Sequence, residues 1–229
     1  MQYSGERYCG GPNLLYLVAA GKFLHHLRLI ALKREWDKLL AKNRFEFPVR
    51  ENHMPGLFTL RRFEHKDFRG SFSRLFDMEE LIPVGWPPIA GQVNFSITSL
   101  KGSIRGMHAQ PGGIPEYKLV TCIRGAVWDV CVDLRANSTT FLSSECVELS
   151  AGNALSLLIP PGVAHGFQTM SDDVEIVYCH SAPFDPDSEF GVSPFDPLLG
   201  VSWPLEVTSI SDRDRNHSLL PSTFEGLSV

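Results

Sequence analysis

Residues able to do chemistry gather in a few short runs of this chain, each set in β-rich sequence. Lys101-Gly-Ser-Ile-Arg-Gly-Met-His-Ala-Gln110 holds Arg105 and His108 three positions apart. In a regular strand these two side chains leave opposite faces, and a bulge at Gly106 is expected to turn both toward one pocket. An imidazole titrates near neutral pH and suits proton transfer, although a lone histidine is more often structural than catalytic. Period two in Gln92-Val-Asn-Phe-Ser-Ile-Thr98 sets Gln92, Asn94, Ser96 and Thr98 on one face and Val93, Phe95 and Ile97 on the other. The polar face either meets water or forms a wall in a barrel mouth, suited to sugar hydroxyls or a base. In Val174-Glu-Ile-Val-Tyr-Cys-His180, Val174, Ile176, Tyr178 and His180 share a face. Tyr178 there reads as core with a capped hydroxyl, or as a phenol able to protonate a carbanion.

The run Ile159-Pro-Pro-Gly-Val-Ala-His-Gly-Phe167 resembles the second half of the cupin pattern, PxGxxH, in which a tight turn delivers a histidine (here His165) to a barrel interior. A metal-binding cupin also supplies two histidines spaced HxH and a glutamate. The matching stretch here is His108-Ala-Gln110, which leaves too few nitrogen ligands for a tight site, so no metal is expected.

The elements that must position these groups divide the sequence in two. Residues 14–44 are rich in Leu, Ala, Lys and Arg with helical spacing (Leu24, Leu27, Ala31, Arg34), and residues 1–50 hold nine Lys/Arg against four Asp/Glu. This predicts an N-terminal helical extension over 1–50, packing on the barrel or on a second subunit rather than on a membrane. From 51 to 229 short β-rich runs alternate with Gly and Pro: Val93–Ser99, Lys118–Ile123, Ala126–Leu134, Ala154–Ile159 and Val174–His180. Arg124-Gly125 reads as a tight hairpin between two of them. Strands without a βαβ rhythm predict a mainly β sandwich or barrel. The end, from Pro204, reads as loop with a short helix.

The 229 residues suffice for one domain plus an extension. A net charge of −5 argues against a nucleic-acid-binding groove, while a few arginines suffice for one small anion such as a diphosphate. Cys9, Cys122, Cys131, Cys146 and Cys179 are odd in number and form no CxxC pair, which fits buried free thiols in a reducing cytoplasm. No apolar run is long enough to span a membrane, and Leu14–Ala20 lacks the basic leader and cleavage site of a secretory signal.

Taken in order, these runs resemble the dTDP-4-dehydrorhamnose 3,5-epimerase family. Further matching segments are Asp67-Phe-Arg-Gly-Ser-Phe72, Lys118-Leu-Val120, Asp129–Arg135, Pro186–Glu189, Asp196-Pro197, Trp203-Pro204 and Ser211-Asp-Arg-Asp214, together covering about 55–220. The resemblance implies a jelly-roll, cupin-type barrel that is a homodimer and acts on a nucleotide-linked 4-keto sugar without cofactor. It implies His108 as the base beside the C4 ketone, Asp214 as its orienting carboxylate, Lys118 at the ketone oxygen and Tyr178 as the opposite-face acid. Arg105 and His165 would hold the diphosphate and nucleotide, and Gln92 and Asn94 the polar wall. Arg69, Phe72 and Arg74 would reach the partner subunit's nucleotide through exchanged strands.

The sequence departs from the family at Arg74 (commonly Glu), Glu116 (commonly Gln), Phe184 (usually a second tyrosine) and Ala109 (usually larger). The acid–base set is intact, so inversion at C3 and C5 is the leading expectation. Its alternatives are a single-centre epimerase on a related nucleotide-4-ketosugar, a non-catalytic sugar-nucleotide binder, and a metal-dependent dioxygenase.

Overall fold

A computed structural model describes residues 49–89, 91–111 and 114–229. The chain divides into two units, Met1–Phe45 and Glu46–Val229. The helical extension expected over 1–50 lies outside the described residues except for its last two, which belong to the first strand.

The described unit is built almost wholly of antiparallel strands. One sheet runs β1 (Val49–Glu51), β2 (Phe58–Arg61), β10 (Leu155–Ile159), β7 (Lys118–Arg124), β12 (Val174–His180), β5 (Gln92–Thr98). The other runs β13 (Phe190–Gly191), β6 (Ser103–Ala109), β11 (Val163–Thr169), β8 (Ala126–Asp133), β9 (Ser144–Ser150). β14 (Ser209–Ile210) adds to β6 in parallel, and β3 (His65–Asp67) pairs with β4 (Gly70–Phe72) as a separate hairpin. Two short helices follow Asp77 and Ser211: α1 (Met78–Leu81) and α2 (Asp212–Arg215). Among the described residues no helix is long and apolar enough to cross a membrane.

The two sheets share a core. Val120, Cys122, Leu157 and Ile176 from the first pack with Val127, Cys131 and Phe167 from the second, which makes the body a jelly-roll barrel as expected. A second cluster covers the outer face of the second sheet, where Met107, Val130, Val132 and Leu134 meet Val192, Leu199 and Leu220 of the C-terminal segment. β8 is therefore buried on both faces, which is why Ala126–Leu134 reads as an almost unbroken apolar run.

The Arg124-Gly125 turn differs from its expected role. β7 pairs with β10 and β12, and β8 with β9 and β11, so the turn carries the chain from one sheet to the other and closes no hairpin. Gly125, at φ +74°, takes the left-handed conformation this corner needs, and a Gly in such a turn looks the same in sequence whether its flanking strands pair or part. Of the described cysteines, Cys122, Cys131 and Cys179 are buried free thiols as expected, whereas Cys146 on β9 is exposed.

At the end of β8, the fully buried carboxylate of Asp133 accepts Arg135 Nε and Nη2 at 2.8 and 2.7 Å and the hydroxyls of Ser138 and Thr140, each at 2.6 Å. Burial pushes this carboxyl up, but these donors outweigh it and hold it at about 2. A carboxyl depressed in the folded state adds stability above its unfolded value near 4, and that stability fades as pH falls through about 2. Asp133→Asn is expected to cost about 3 kcal/mol, because Arg135 keeps its charge without a partner. Urea midpoints at pH 7 and pH 3 test this: the parent should weaken toward acid more steeply than the variant, and equal midpoints at pH 7 would show the network to be inert.

Candidate active site

A cavity of about 680 Å³ opens between the sheets, lined by β5, β6, β7, β11, β12, β14 and α2. Its position follows from one irregularity in β6. His108 lies opposite His165 and Arg105 opposite Phe167, three steps on β6 against two on β11. That extra residue is the bulge expected at Gly106, and Arg105 and His108 both line the cavity. Gly106 has φ +116°, and a Cβ there would lie 2.6 Å from Gly166 Cα and 2.7 Å from the His165 carbonyl oxygen. Only glycine fits both the conformation and the space.

His108 and Asp214 form a pair. Asp214 Oδ1 lies 2.8 Å from His108 Nε2, and Oδ2 accepts the Gly106 N–H at 3.1 Å. Ser211 caps α2 by accepting the Asp214 N–H, fixing the carboxylate at the head of a single turn. Burial pushes the Asp214 carboxyl up, yet the hydrogen bond and charge of His108, the Gly106 N–H and Ser211 hold it below the usual carboxylate range. An ionised Asp214 accepts a proton donated by Nε2, and this tautomer leaves Nδ1 of His108 as the basic nitrogen.

His217 was not singled out from the sequence. Its ring stands edge-on to His108, with centroids 5.5 Å apart, and its Nε2 is 3.6 Å from Asp214 Oδ1. Burial first, then the charge of His108, holds its imidazole below the ordinary value. The available signal was its place three residues beyond Asp214, one helical turn on. Among the described residues, His108, Asp214 and His217 are the grouping that brings metal-ligand atoms within 4.8 Å of one another. Zinc bonds of about 2.0–2.1 Å to nitrogen space tetrahedral donors roughly 3.3 Å apart. The 2.8 Å between His108 and Asp214 is hydrogen-bond spacing instead, and suits a proton-transfer pair.

The opposite sheet supplies Tyr178, His180 and Lys118. Tyr178 Oη lies 3.2 Å from Ser96 Oγ, and burial pushes its phenol up to about 12, only partly offset by Ser96 and by the charge of Arg105. The phenol thus keeps its proton throughout the neutral range. Lys118 Nζ pairs with Glu116 Oε2 at 3.1 Å, and Glu116 Oε1 takes His180 Nδ1 at 2.9 Å. Burial pushes Glu116 up, but the hydrogen bond from His180 and the charge of Lys118 prevail and hold it below the usual range.

The remaining expected residues fall into two groups. Asn94 lines the cavity, with Nδ2 3.3 Å from His180 Nε2, and Gln92 bonds Asn94 and accepts the Phe184 N–H. The polar face of β5 is therefore the inner wall. Arg105 gives its hydrogen bonds to neutral acceptors, Thr98 Oγ1 at 2.9 Å and the Ile97 carbonyl at 3.2 Å. His165, on the same wall, is buried against Asp129 at 2.9 Å. Arg69, Phe72 and Arg74 lie outside this cavity: Arg69 pairs with Asp67 across the exposed β3–β4 hairpin, and Arg74 pairs with Asp77 and Glu80. An arrangement with an ionised dyad on one wall and a protonated phenol and a cation on the other can take a proton from one side of a ligand and return one from the other.

The chain matches the family model for dTDP-4-dehydrorhamnose 3,5-epimerase over residues 51–222. It is 35% identical over 171 residues to a dTDP-4-dehydrorhamnose 3,5-epimerase of Sinorhizobium fredii, covering 71% of this chain and 86% of that protein. It is 34% identical over 166 residues to a dTDP-4-dehydrorhamnose 3-epimerase of Streptomyces niveus, covering 72% and 80%. The solved structure of a Legionella pneumophila dTDP-6-deoxy-D-glucose-3,5-epimerase in complex with dTDP-4-keto-L-rhamnose superposes with a TM-score of 0.71 at 32% identity, over 76% of this chain and 92% of that one.

The bulge sets the next expectation. Gly106→Ala forces a Cβ into Gly166 at an unfavourable φ and should cost about 2–3 kcal/mol, or roughly 5–10 °C in Tm. Calorimetry decides it: a Tm within about 1 °C of the parent would show that β6 accommodates a side chain there.

Proposed function

The chain belongs to the dTDP-4-dehydrorhamnose 3,5-epimerase family, and from that premise we propose that it inverts C3, C5 or both of a nucleotide-linked 4-keto-6-deoxy sugar, converting dTDP-4-dehydro-6-deoxyglucose to dTDP-4-dehydrorhamnose. The observation that carries the proposal is the pair of half-buried His108 and buried Asp214, facing Tyr178 and Lys118 across one cavity. His108 Nδ1 takes the proton beside the ketone, and Asp214 stabilises the imidazolium that forms. Lys118 steadies the negative charge that develops on the ketone oxygen. Tyr178 returns a proton to the opposite face, so the centre inverts. Arg105, whose hydrogen bonds go to neutral acceptors, meets the diphosphate, with His165 beside it and Asn94 and Gln92 along the wall. All of this needs only protons moved between protein, sugar and water. On this reading 51–229 is the epimerase domain, 1–50 an extension to it, and the enzyme works in the cytoplasm.

We also propose a homodimer. β5 is an edge strand whose outer face exposes Val93, Phe95 and Ile97 (68%, 55% and 53%), a row that water disfavours and a second sheet would cover. The β3–β4 hairpin exposes Phe68 and Phe72, at 97% and 70%. Arg69, Phe72 and Arg74 lie outside their own chain's cavity, and a hairpin exchanged between subunits would bring them to the partner's nucleotide.

In heavy water with dTDP-4-keto-6-deoxyglucose, His108→Ala is expected to lower deuterium entry at the sugar by about 10²–10⁴ while the nucleotide still binds. Asp214→Asn should keep the fold but favour the wrong tautomer, with a similarly large loss in kcat. NMR of the sugar reads both, and near-parental exchange in either variant would remove the dyad from the reaction. Light scattering checks the assembly: the parent should be a dimer, and Phe95→Glu should shift it toward monomer. A parent that is monomeric and active would overturn strand exchange.

A further inference from the structure

Besides His165–Asp129, the cavity holds a histidine–carboxylate pair that faces the His108 dyad from the other sheet. His108 hangs from β6 of one sheet, with Asp214 behind it; His180 hangs from β12 of the other, with Glu116 behind it. The geometry points to His180, oriented by Glu116, as a second acid–base group that exchanges protons with the sugar from the Tyr178 side. This inference rests on the proposed epimerisation and adds to it a donor that the four-residue scheme lacks.

The pair is built as a proton-transfer pair is built. Glu116 Oε1 lies 2.9 Å from His180 Nδ1, and the two side chains are 5% and 13% exposed, so the imidazole is held in one orientation and largely out of water. With Nδ1–H donated to the carboxylate, Nε2 is the working nitrogen. It lies 3.3 Å from the Asn94 side-chain amide, which offers an N–H to a bare Nε2 or a C=O to a protonated one. The groups that face His180 are Glu116 and Lys118 from the segment entering β7, Asn94 from β5 and Tyr178 from its own strand. Glu116 bonds Lys118 through one oxygen and His180 through the other, so its single charge is shared between the ammonium and any proton that His180 gains.

Two features say why a second donor matters here. Tyr178 stacks on His180 with centroids 6.1 Å apart and sets its hydroxyl beside Ser96, whereas His180 Nε2 lies beside Asn94, so the two present protons at different places along one wall. Phe184 lines the same cavity and has no proton to give. A sugar with two epimerisable carbons, one on each side of its ketone, presents two positions to be protonated.

The step balances. His108 breaks a C–H bond and keeps that proton, and the electron pair becomes the enolate. The imidazolium of His180 breaks its Nε2–H bond, and the proton forms a new C–H bond on the opposite face. His108 then loses its proton to solvent and His180 regains one, with nothing oxidised or reduced. In the reverse direction His180 is the base.

The test compares the parent with His180→Phe, which keeps the stack on Tyr178, Glu116→Gln, Tyr178→Phe, and the double variant Tyr178→Phe/His180→Phe. All are incubated with dTDP-4-keto-6-deoxyglucose in heavy water, and NMR follows deuterium and inversion at each centre. His180→Phe should lower inversion at one or both centres by at least about tenfold while deuterium still enters through His108. Tyr178→Phe should retain inversion that the double variant loses by a further tenfold or so. Glu116→Gln removes the charge that favours the imidazolium, so the alkaline limb of its rate profile should move to lower pH, a change that a merely structural glutamate would not produce. Parental inversion in His180→Phe together with an unmoved profile in Glu116→Gln would overturn the second dyad while leaving the epimerisation in place. A parent that incorporates no deuterium would overturn the epimerisation itself, and the dyad with it.

Discussion

The site depends on one desolvated carboxylate. Asp214 uses one oxygen to hold the His108 ring and the other to accept the Gly106 N–H. The first bond sets which nitrogen of the base is free. The second ties the bulge of β6 to the C-terminal segment that carries α2. Without the bulge Arg105 and His108 would part to opposite faces of the strand, and without the tie the bulge would have a buried N–H to satisfy elsewhere. A short helix near the end of the chain thus fixes the shape of a central strand. Gly191 serves the same end, since any side chain there would collide with the His217 ring that stands against His108.

The cavity sets a carboxyl group against each of the histidines that line it. Asp214 faces His108, Asp129 faces His165, and Glu116 faces both His180 and Lys118. Buried ions are tolerated on such terms, and each pair holds an imidazole in one orientation. Arg105 is the departure: its guanidinium bonds a hydroxyl and a carbonyl, leaving its charge without a carboxylate counterpart among these contacts. In the proposed reaction a dianionic diphosphate would supply what that guanidinium lacks, and the cavity would then divide into an anion-binding end and a proton-transfer end.

Legibility in the sequence followed how strongly each element is constrained by a single physical factor. β5, β7, β8, β10 and β12 were readable because their β-rich runs end at Gly, Pro or charged residues. The Gly106 bulge was readable because two chemically useful side chains needed one face. The Arg124-Gly125 corner was not, since local turn chemistry is the same whether the strands it joins pair with each other or with different sheets. His217 went unnoticed because its contact with Asp214 depends on one turn of helix in a segment with weak periodicity. Exposed Val93, Phe95 and Ile97 reverse the usual pattern, with the apolar face outside and the polar face within, and such a pattern becomes readable only once the inner face is known to line a cavity.

The two walls also differ in how tightly they hold protons, and the proposed chemistry requires this difference. Asp214 is kept ionised, so it can orient the His108 ring and would stabilise the imidazolium that the proposed proton removal forms. The Tyr178 phenol, pushed up to about 12, gives its proton neither to water nor to any ordinary side chain. It yields only to an acceptor at least as basic as a phenolate, which an enolate carbon is and a resting ketone is not. Lys118 complicates this match, because a bare ammonium at the enolate oxygen would make the carbon a poorer proton acceptor. Glu116, bonded to Lys118 at 3.1 Å, tempers that charge. In the proposed reaction the lysine would lower the barrier to forming the enolate, and Glu116 would limit that stabilisation. On the proposed mechanism a glutamate at 116 would act on both halves of the reaction: it would moderate the cation at the enolate oxygen, and it orients the imidazole that stands beside the phenol.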